Sequence, residues 1–164
     1  MQVYFEPDKI VPDLPGIITL SHGPVARYIV ETVEFLNGSK LENCAQFCLD
    51  YEDDPEVFRK EFVKAIELFP EGTIVFCDLF GGTPSNQLLL ASQVEESIKG
   101  KINGISGMNV PLVLAAALSR SFCKGKELVD MLMADAVNSI VNMNAAIEQV
   151  NAAEDDDDDE DDDE

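Results

Sequence analysis

Four consecutive apolar residues, Ile74-Val75-Phe76-Cys77, are followed by Asp78 and then by Leu79-Phe80-Gly81-Gly82-Thr83-Pro84. A run without polar alternation cannot keep one face in water. It predicts a strand over 73–79 that is covered on both faces, as in a parallel sheet. Parallel neighbours need crossovers long enough to hold a helix, and the chain supplies them on both sides of this run. GIITLS (16–21) predicts the first strand, and Val25, Ile29, Val33 and Leu36 then recur at helical spacing until Gly38 stops the helix. A second strand over 43–49 leads to Asp54-Pro55, a cap followed by proline at the first helical position. Phe58, Phe62, Ala65, Ile66 and Phe69 line one face of the helix that follows.

After the Gly-Gly-Thr-Pro turn, a helix is expected from Pro84 to about Glu95. A strand at 101–106 and a helix from Pro111 to Ser119 follow. Leu128, Leu132, Ala136, Ile140 and Met143 keep near-helical spacing through 126–150 and predict a last helix there. Strand and helix in alternation describe an α/β doubly wound domain with a mainly parallel sheet. In a flavodoxin-like strand order of 2-1-3-4, the first and third strands are neighbours across the point where the order reverses. Three parts are expected: an N-terminal extension (1–15) rich in proline, the domain (16–150), and a disordered acidic tail (151–164).

The net charge of −21 is uneven: residues 154–164 are all acidic and contribute −11, leaving −10 elsewhere. Both parts repel phosphate backbones and anionic bilayers, which argues against nucleic-acid and membrane-surface partners. Eleven adjacent carboxylates bury nothing apolar, so the tail is expected to stay solvated or to dock on a basic partner. No apolar run is long enough to span a bilayer, and no secretory signal opens the chain; a cytoplasmic location is expected. Cys44, Cys48, Cys77 and Cys123 lie inside apolar, regular segments and are expected to be reduced and buried. Cys44 and Cys48 have no second Cys/His pair to complete a zinc site, so no metal and no cofactor are expected.

Ligands in open α/β sheets bind beyond the carboxyl ends of the strands, where strand order reverses. Ser21-His22-Gly23 ends the first strand, and Asp78 with the glycine turn ends the third, so both should face one crevice. His22 is the single histidine of the chain. Its neutral ring is a nucleophile near pH 7 if one nitrogen is held by an acceptor, a task suited to Asp78. Gly81 and Gly82 let backbone amides approach an anion closely, while Thr83 is placed to cap the next helix. The positive end of that helix would then point at a bound phosphoryl group. Gly107-Met108-Asn109-Val110-Pro111 follows the fourth strand. Asn109 there is either a further ligand of the crevice or an ordinary helix cap.

GIITLSHGPVARYIVETVEFLNG (16–38), IVFCDLFGGTPSNQ (74–87) and GMNVPLVLAA (107–116) together resemble the enzyme IIA component of mannose/fructose/sorbose-class sugar phosphotransferase systems. The resemblance covers about 16–145. It implies that His22 takes a phosphoryl group from the histidine phosphocarrier protein and passes it to a IIB component. The membrane IIC and IID subunits are then served indirectly. It further implies that Asp78 orients the histidine and that Gly81, Gly82 and Thr83 line the phosphoryl site. A homodimer exchanging a C-terminal strand is also implied, which would make part of 139–143 extended and antiparallel, against the helical spacing there. Two other readings remain: a receiver-like domain phosphorylated on Asp78, and a non-catalytic regulatory or adaptor protein of the same fold. The first lacks the acidic pair that a receiver carries after its first strand.

Overall fold

The computed structural model describes residues 1–158. A five-stranded sheet is built from β1 (Gln2–Tyr4), β2 (Ile17–His22), β3 (Cys44–Leu49), β4 (Ile74–Cys77) and β5 (Asn103–Ser106). Their spatial order is β1-β3-β2-β4-β5. The four strands from β2 onward are parallel and keep the expected 2-1-3-4 arrangement. The order as a whole differs from the expectation, because β1 adds an antiparallel edge strand beside β3. That antiparallel strand comes from the N-terminal extension, whereas the extra strand foreseen was a C-terminal one.

Helices cover both faces. On one side α2 (Pro55–Leu68) and α3 (Thr83–Val94) pack over Ile18, Leu20, Phe47, Val75 and Cys77. On the other, α1 (Val25–Asn37), α4 (Val110–Ser119) and α5 (Gly125–Ala136) cover Ile17, Cys48, Ile74, Phe76 and Ile105. Successive strand residues point to opposite faces, so a strand covered twice must be apolar throughout. Ile17, Ile18, Thr19, Leu20 and Ser21 of β2 are accordingly all fully buried. Thr19 is tolerated there because its hydroxyl reaches the Ala45 carbonyl at 3.5 Å.

Local signals set most boundaries. Gly38 is left-handed (φ 74°) and donates its N–H to the Phe35 carbonyl, ending α1. Asp54 caps α2 by accepting from the Glu56 amide, with Pro55 in the first position. Phe62 packs edge-on against both Phe47 of the sheet and Phe58 of its own helix. The long C-terminal helix expected over 126–150 is interrupted. α5 stops at Ala136, a 3-10 turn follows at Val137–Ser139, and Ile140 is extended before α6 (Met143–Asp158) begins. Leu128 and Leu132 have a sheet to pack on and are buried, whereas Ile140 is 83% exposed. The spacing is continuous; the core beneath it is not. Residues 151–158 of the acidic tail continue α6, and 159–164 lie outside the described residues. Among the described residues, no helix is long and apolar enough to cross a membrane.

Candidate functional site

β2 and β4 lie side by side, from Ile17 opposite Ile74 to Leu20 opposite Cys77. The next residue of each strand therefore emerges at the same rim. The Asp78 amide donates to the Leu20 carbonyl (3.2 Å), extending the pairing by one step. His22 is the last residue of β2, and its side chain is 45% exposed; that of Asp78 is 15% exposed. The rim of a parallel sheet, at the point of strand reversal, thus holds an imidazole against a carboxylate.

Asp78 is held from three directions. Its Oδ2 accepts the His22 backbone N–H at 2.8 Å and lies 3.0 Å from the ring nitrogen Nδ1. Its Oδ1 accepts the Leu79 amide at 2.8 Å. An ionised carboxylate only accepts, so Nδ1 must carry the proton and donate. In the neutral imidazole the other ring nitrogen, Nε2, then keeps its lone pair. Cys77, one residue back, shows how dry the floor is: burial, and secondarily the Asp78 charge, push its thiol up to about 12.

The ring rests on a glycine. A Cβ added to Gly82 would lie 2.4 Å from His22 Cε1 and 3.1 Å from Nε2. No side chain larger than hydrogen fits there with the ring in place. Gly81 is needed for a different reason, its φ of +81°. The turn leads straight into α3, where Gly82 is the cap and Thr83 and Pro84 are the first two helical residues. Thr83 was expected to be the cap; the glycine takes that position, and Thr83 enters the first turn. The amides at this helix start have no intrahelical acceptors and concentrate the positive end of the helix dipole.

Below the imidazole, Ser21 is fully buried and works in both directions. Its hydroxyl donates to the Gly23 carbonyl (2.9 Å) and accepts the Ala26 amide (2.8 Å), tying the His22-Gly23-Pro24 turn to the start of α1. Sequence reasoning did not single out Ser21 as a site residue, although a serine before a proline-initiated helix is a capping signal. The third expected loop is pinned to the same rim, since Gly107 and Met108 both donate to the Cys77 carbonyl at 3.0 Å. Asn109 is committed elsewhere: Oδ1 caps α4 through the Leu112 amide (2.9 Å), and Nδ2 donates to Ser139 (3.3 Å). The structure therefore brings together His22, Asp78, Gly81, Gly82 and Thr83, and occupies both ends of Asn109 with cap and tether. Among the described residues, no three His, Cys, Asp or Glu side chains gather in a way that could hold a metal ion.

Residues 16–133, a span that includes His22, Asp78, the glycine turn and Asn109, match the family model of the PTS system fructose IIA component. The chain belongs to this fructose/mannose IIA family. Solved structures agree on the fold. The EIIA component from Streptococcus agalactiae superposes with a TM-score of 0.69 at 26% identity, covering 79% of this chain and 98% of its own. The mannose/sorbose specific IIA subunit from Enterococcus faecalis gives 0.64 at 23% identity, covering 78% and 93%. The IIA protein associated with the fucose utilization operon of Streptococcus pneumoniae gives 0.68 at 22%, covering 81% and 96%. No curated protein matches the chain. As a IIA protein of this family, the chain is a phosphotransferase component of sugar uptake. β1 and the segment after α5 fall outside the matched span.

Proposed function

We propose that this IIA protein carries the phosphoryl group on Nε2 of His22, accepting it from the histidine phosphocarrier protein and donating it to a cognate IIB component in the cytoplasm. One observation carries the reading: Nδ1 is held 3.0 Å from Asp78 while the opposite edge of the ring lies over the glycine turn. In the forward step, the Nε2 lone pair attacks phosphorus as the donor's P–N bond breaks, and that electron pair returns to the donor nitrogen. The proton stays on Nδ1, where the Asp78 carboxylate offsets the positive charge of the phosphorylated ring. The incoming oxygens, nearly doubly charged, are matched by the amides of Gly81 and Thr83 and the α3 dipole. Transfer to IIB reverses the same geometry.

Incubation with phosphoenolpyruvate, enzyme I and the phosphocarrier, followed by mapping of the modified residue, tests this directly. An acid-labile adduct on His22 is expected. A hydroxylamine-sensitive adduct would place the phosphate on a carboxylate instead. The receiver-like alternative is disfavoured by Asp78 itself, because both of its oxygens already accept hydrogen bonds. For the adaptor alternative, His22→Ala is decisive: an adaptor keeps its activity, and a carrier loses all phosphate uptake.

We also propose a homodimer. Among the described residues, β5 ends the sheet with an unpaired edge, and the adjoining apolar groove between α3 and β5 contains Phe80, Leu88, Leu89 and Ile105. The Ser106 hydroxyl at its end is buried and has no partner among the described residues. Val137, Ile140 and Val141 are more than half exposed within one chain, and an extended segment carrying them could add to that edge from a second copy. Light scattering should give twice the chain mass, and removal of residues 137–158 should give a monomer.

A further inference from the structure

We propose that Asn86 is a positioning residue for His22, fixing the glycine turn against which the imidazole lies; this rests on the carrier reading above. Asn86 sits in the first turn of α3 and is exposed. An exposed amide at such a position has no structural need for a protein partner. Its Nδ2 nevertheless donates to the Gly81 carbonyl at 2.9 Å, five residues back. Its backbone N–H donates to the next carbonyl, that of Gly82, also at 2.9 Å. Ser85 adds a second bond to that carbonyl from its hydroxyl, at 3.0 Å.

Two successive peptide planes are therefore gripped by their oxygens. A trans peptide is planar, with N–H and C=O on opposite sides. Holding the Gly82 carbonyl toward Ser85 and Asn86 turns the Thr83 N–H the other way, out of the helix. Holding the Gly81 carbonyl fixes the plane on which Gly82 is carried, and Gly82 is the residue whose missing Cβ accommodates the His22 ring. The Gly82 plane has further support: the Gly82 carbonyl takes two bonds. The Gly81 carbonyl has no donor besides Asn86 among the described residues, and its plane is otherwise held by one long bond, from the Gly82 N–H to the Leu79 carbonyl at 3.4 Å. The φ of Gly81 is positive and no atom lies within 4 Å of where its Cβ would be, so packing does not restrain it. The amide of Asn86, at 2.9 Å, is the shorter of the two restraints on that plane. Without it the plane keeps only the 3.4 Å bond, and the bed under the imidazole loosens without any change to the core.

Asn86→Ala and Asn86→Asp test the assignment. Alanine favours the helix, and aspartate keeps the shape but has no N–H to donate. Each variant is phosphorylated with phosphoenolpyruvate, enzyme I and the phosphocarrier. kcat and KM for the phosphocarrier are measured beside the thermal midpoint and the amide NMR shifts of Gly81 and Gly82. The expected result is a kcat lower by about tenfold, or ~1.4 kcal/mol in the barrier, with KM and midpoint unchanged and both glycine amides shifted. If wild-type protein is phosphorylated on His22 and both variants match its kcat, Asn86 is not a positioning residue. A kcat that falls only as the folded fraction falls overturns the assignment as well, since that is a purely structural effect. Absence of phosphate on wild-type His22 removes the carrier reading itself, and the assignment with it.

Discussion

Replacing Gly82 with alanine isolates the contact between the glycine turn and the imidazole. The backbone at Gly82 has φ −75° and ψ 169°, extended values that alanine adopts without strain. The substitution therefore costs little in stability. Gly→Ala at a compatible position gains roughly 0.4–1 kcal/mol through the unfolded chain. Alanine is a poorer cap than glycine by an amount of the same order, so the net change should stay within about 1 kcal/mol. The steric effect falls on His22, with the Leu79 carbonyl oxygen at ordinary contact distance (3.4 Å): the new methyl would sit 2.4 Å from Cε1, whereas carbon atoms in contact prefer about 3.5–4.0 Å. The ring must retreat by about 1.2 Å. The Nδ1 bond to Asp78, now 3.0 Å, is then stretched or broken. A misplacement of ~1 Å at a reacting group can cost about 100-fold, equivalent to about 2.7 kcal/mol in the barrier. Quench-flow transfer from the phosphocarrier, run beside thermal unfolding, reads both quantities. Gly81→Ala is the control: it meets no atom within 4 Å but must hold φ +81°, so it should lose about 1–2 kcal/mol of stability and less of the rate. Wild-type transfer by Gly82→Ala would show that the ring does not depend on this contact.

Asp78→Asn keeps the shape but places an NH2 group opposite either the Leu79 amide or the two donors of His22. It should slow transfer by ~10²-fold or more through loss of the Nδ1–H tautomer while circular dichroism shows a folded domain; unchanged kinetics would remove Asp78 from the mechanism. Arg120→Met should destabilise by about 3 kcal/mol in urea unfolding and leave kcat intact. The buried guanidinium donates to the carbonyls of Pro15, Glu42 and Asn43, far from the rim; a kinetic defect would mean that strain there reaches His22. Cys77, with its thiol pushed up to about 12, should resist iodoacetamide at pH 8 in the folded protein and react once denatured, as mass spectrometry would show. Deleting residues 154–164 should leave phosphoryl transfer intact, and a large fall in rate would reveal a partner for the acidic run.

The parallel core was legible because double burial leaves a run without polar alternation, flanked here by helical patterns that supply the crossovers: Ile74–Cys77 has no polar residue to turn outward. The same logic located His22 and Asp78, since a buried strand must end where polar residues begin, and two neighbouring ends share one rim. β1 was not legible. Three residues are too few for periodicity to speak, and Gln2–Tyr4 forms a strand only because Gln46, Phe47 and Cys48 offer an edge for pairing. The pairing partner is more than forty residues away, so no local pattern carries it. Arg120 was hidden for the same reason. Its three acceptors are backbone carbonyls, which have no sequence signature.

Asn109 and Ile140 show the opposite failure, in which a pattern is present and has two meanings. An asparagine before a proline-started helix is either a ligand or a cap, and here Asn109 Oδ1 is spent on the Leu112 amide. Apolar residues at helical spacing predict a buried face only if something lies against it. Leu128 and Leu132 meet the sheet and are fully buried, while Ile140 and Met143 continue their spacing and remain exposed, at 83% and 64%. Selection against exposed apolar surface would remove such residues from a chain that ended its contacts at α5. Their persistence beyond the core fits the proposed second copy, for which the edge of β5, one of the two edges of the sheet, offers backbone groups that no strand among the described residues pairs with. The residues that misled a single-chain reading are thus the same ones that argue for a second copy.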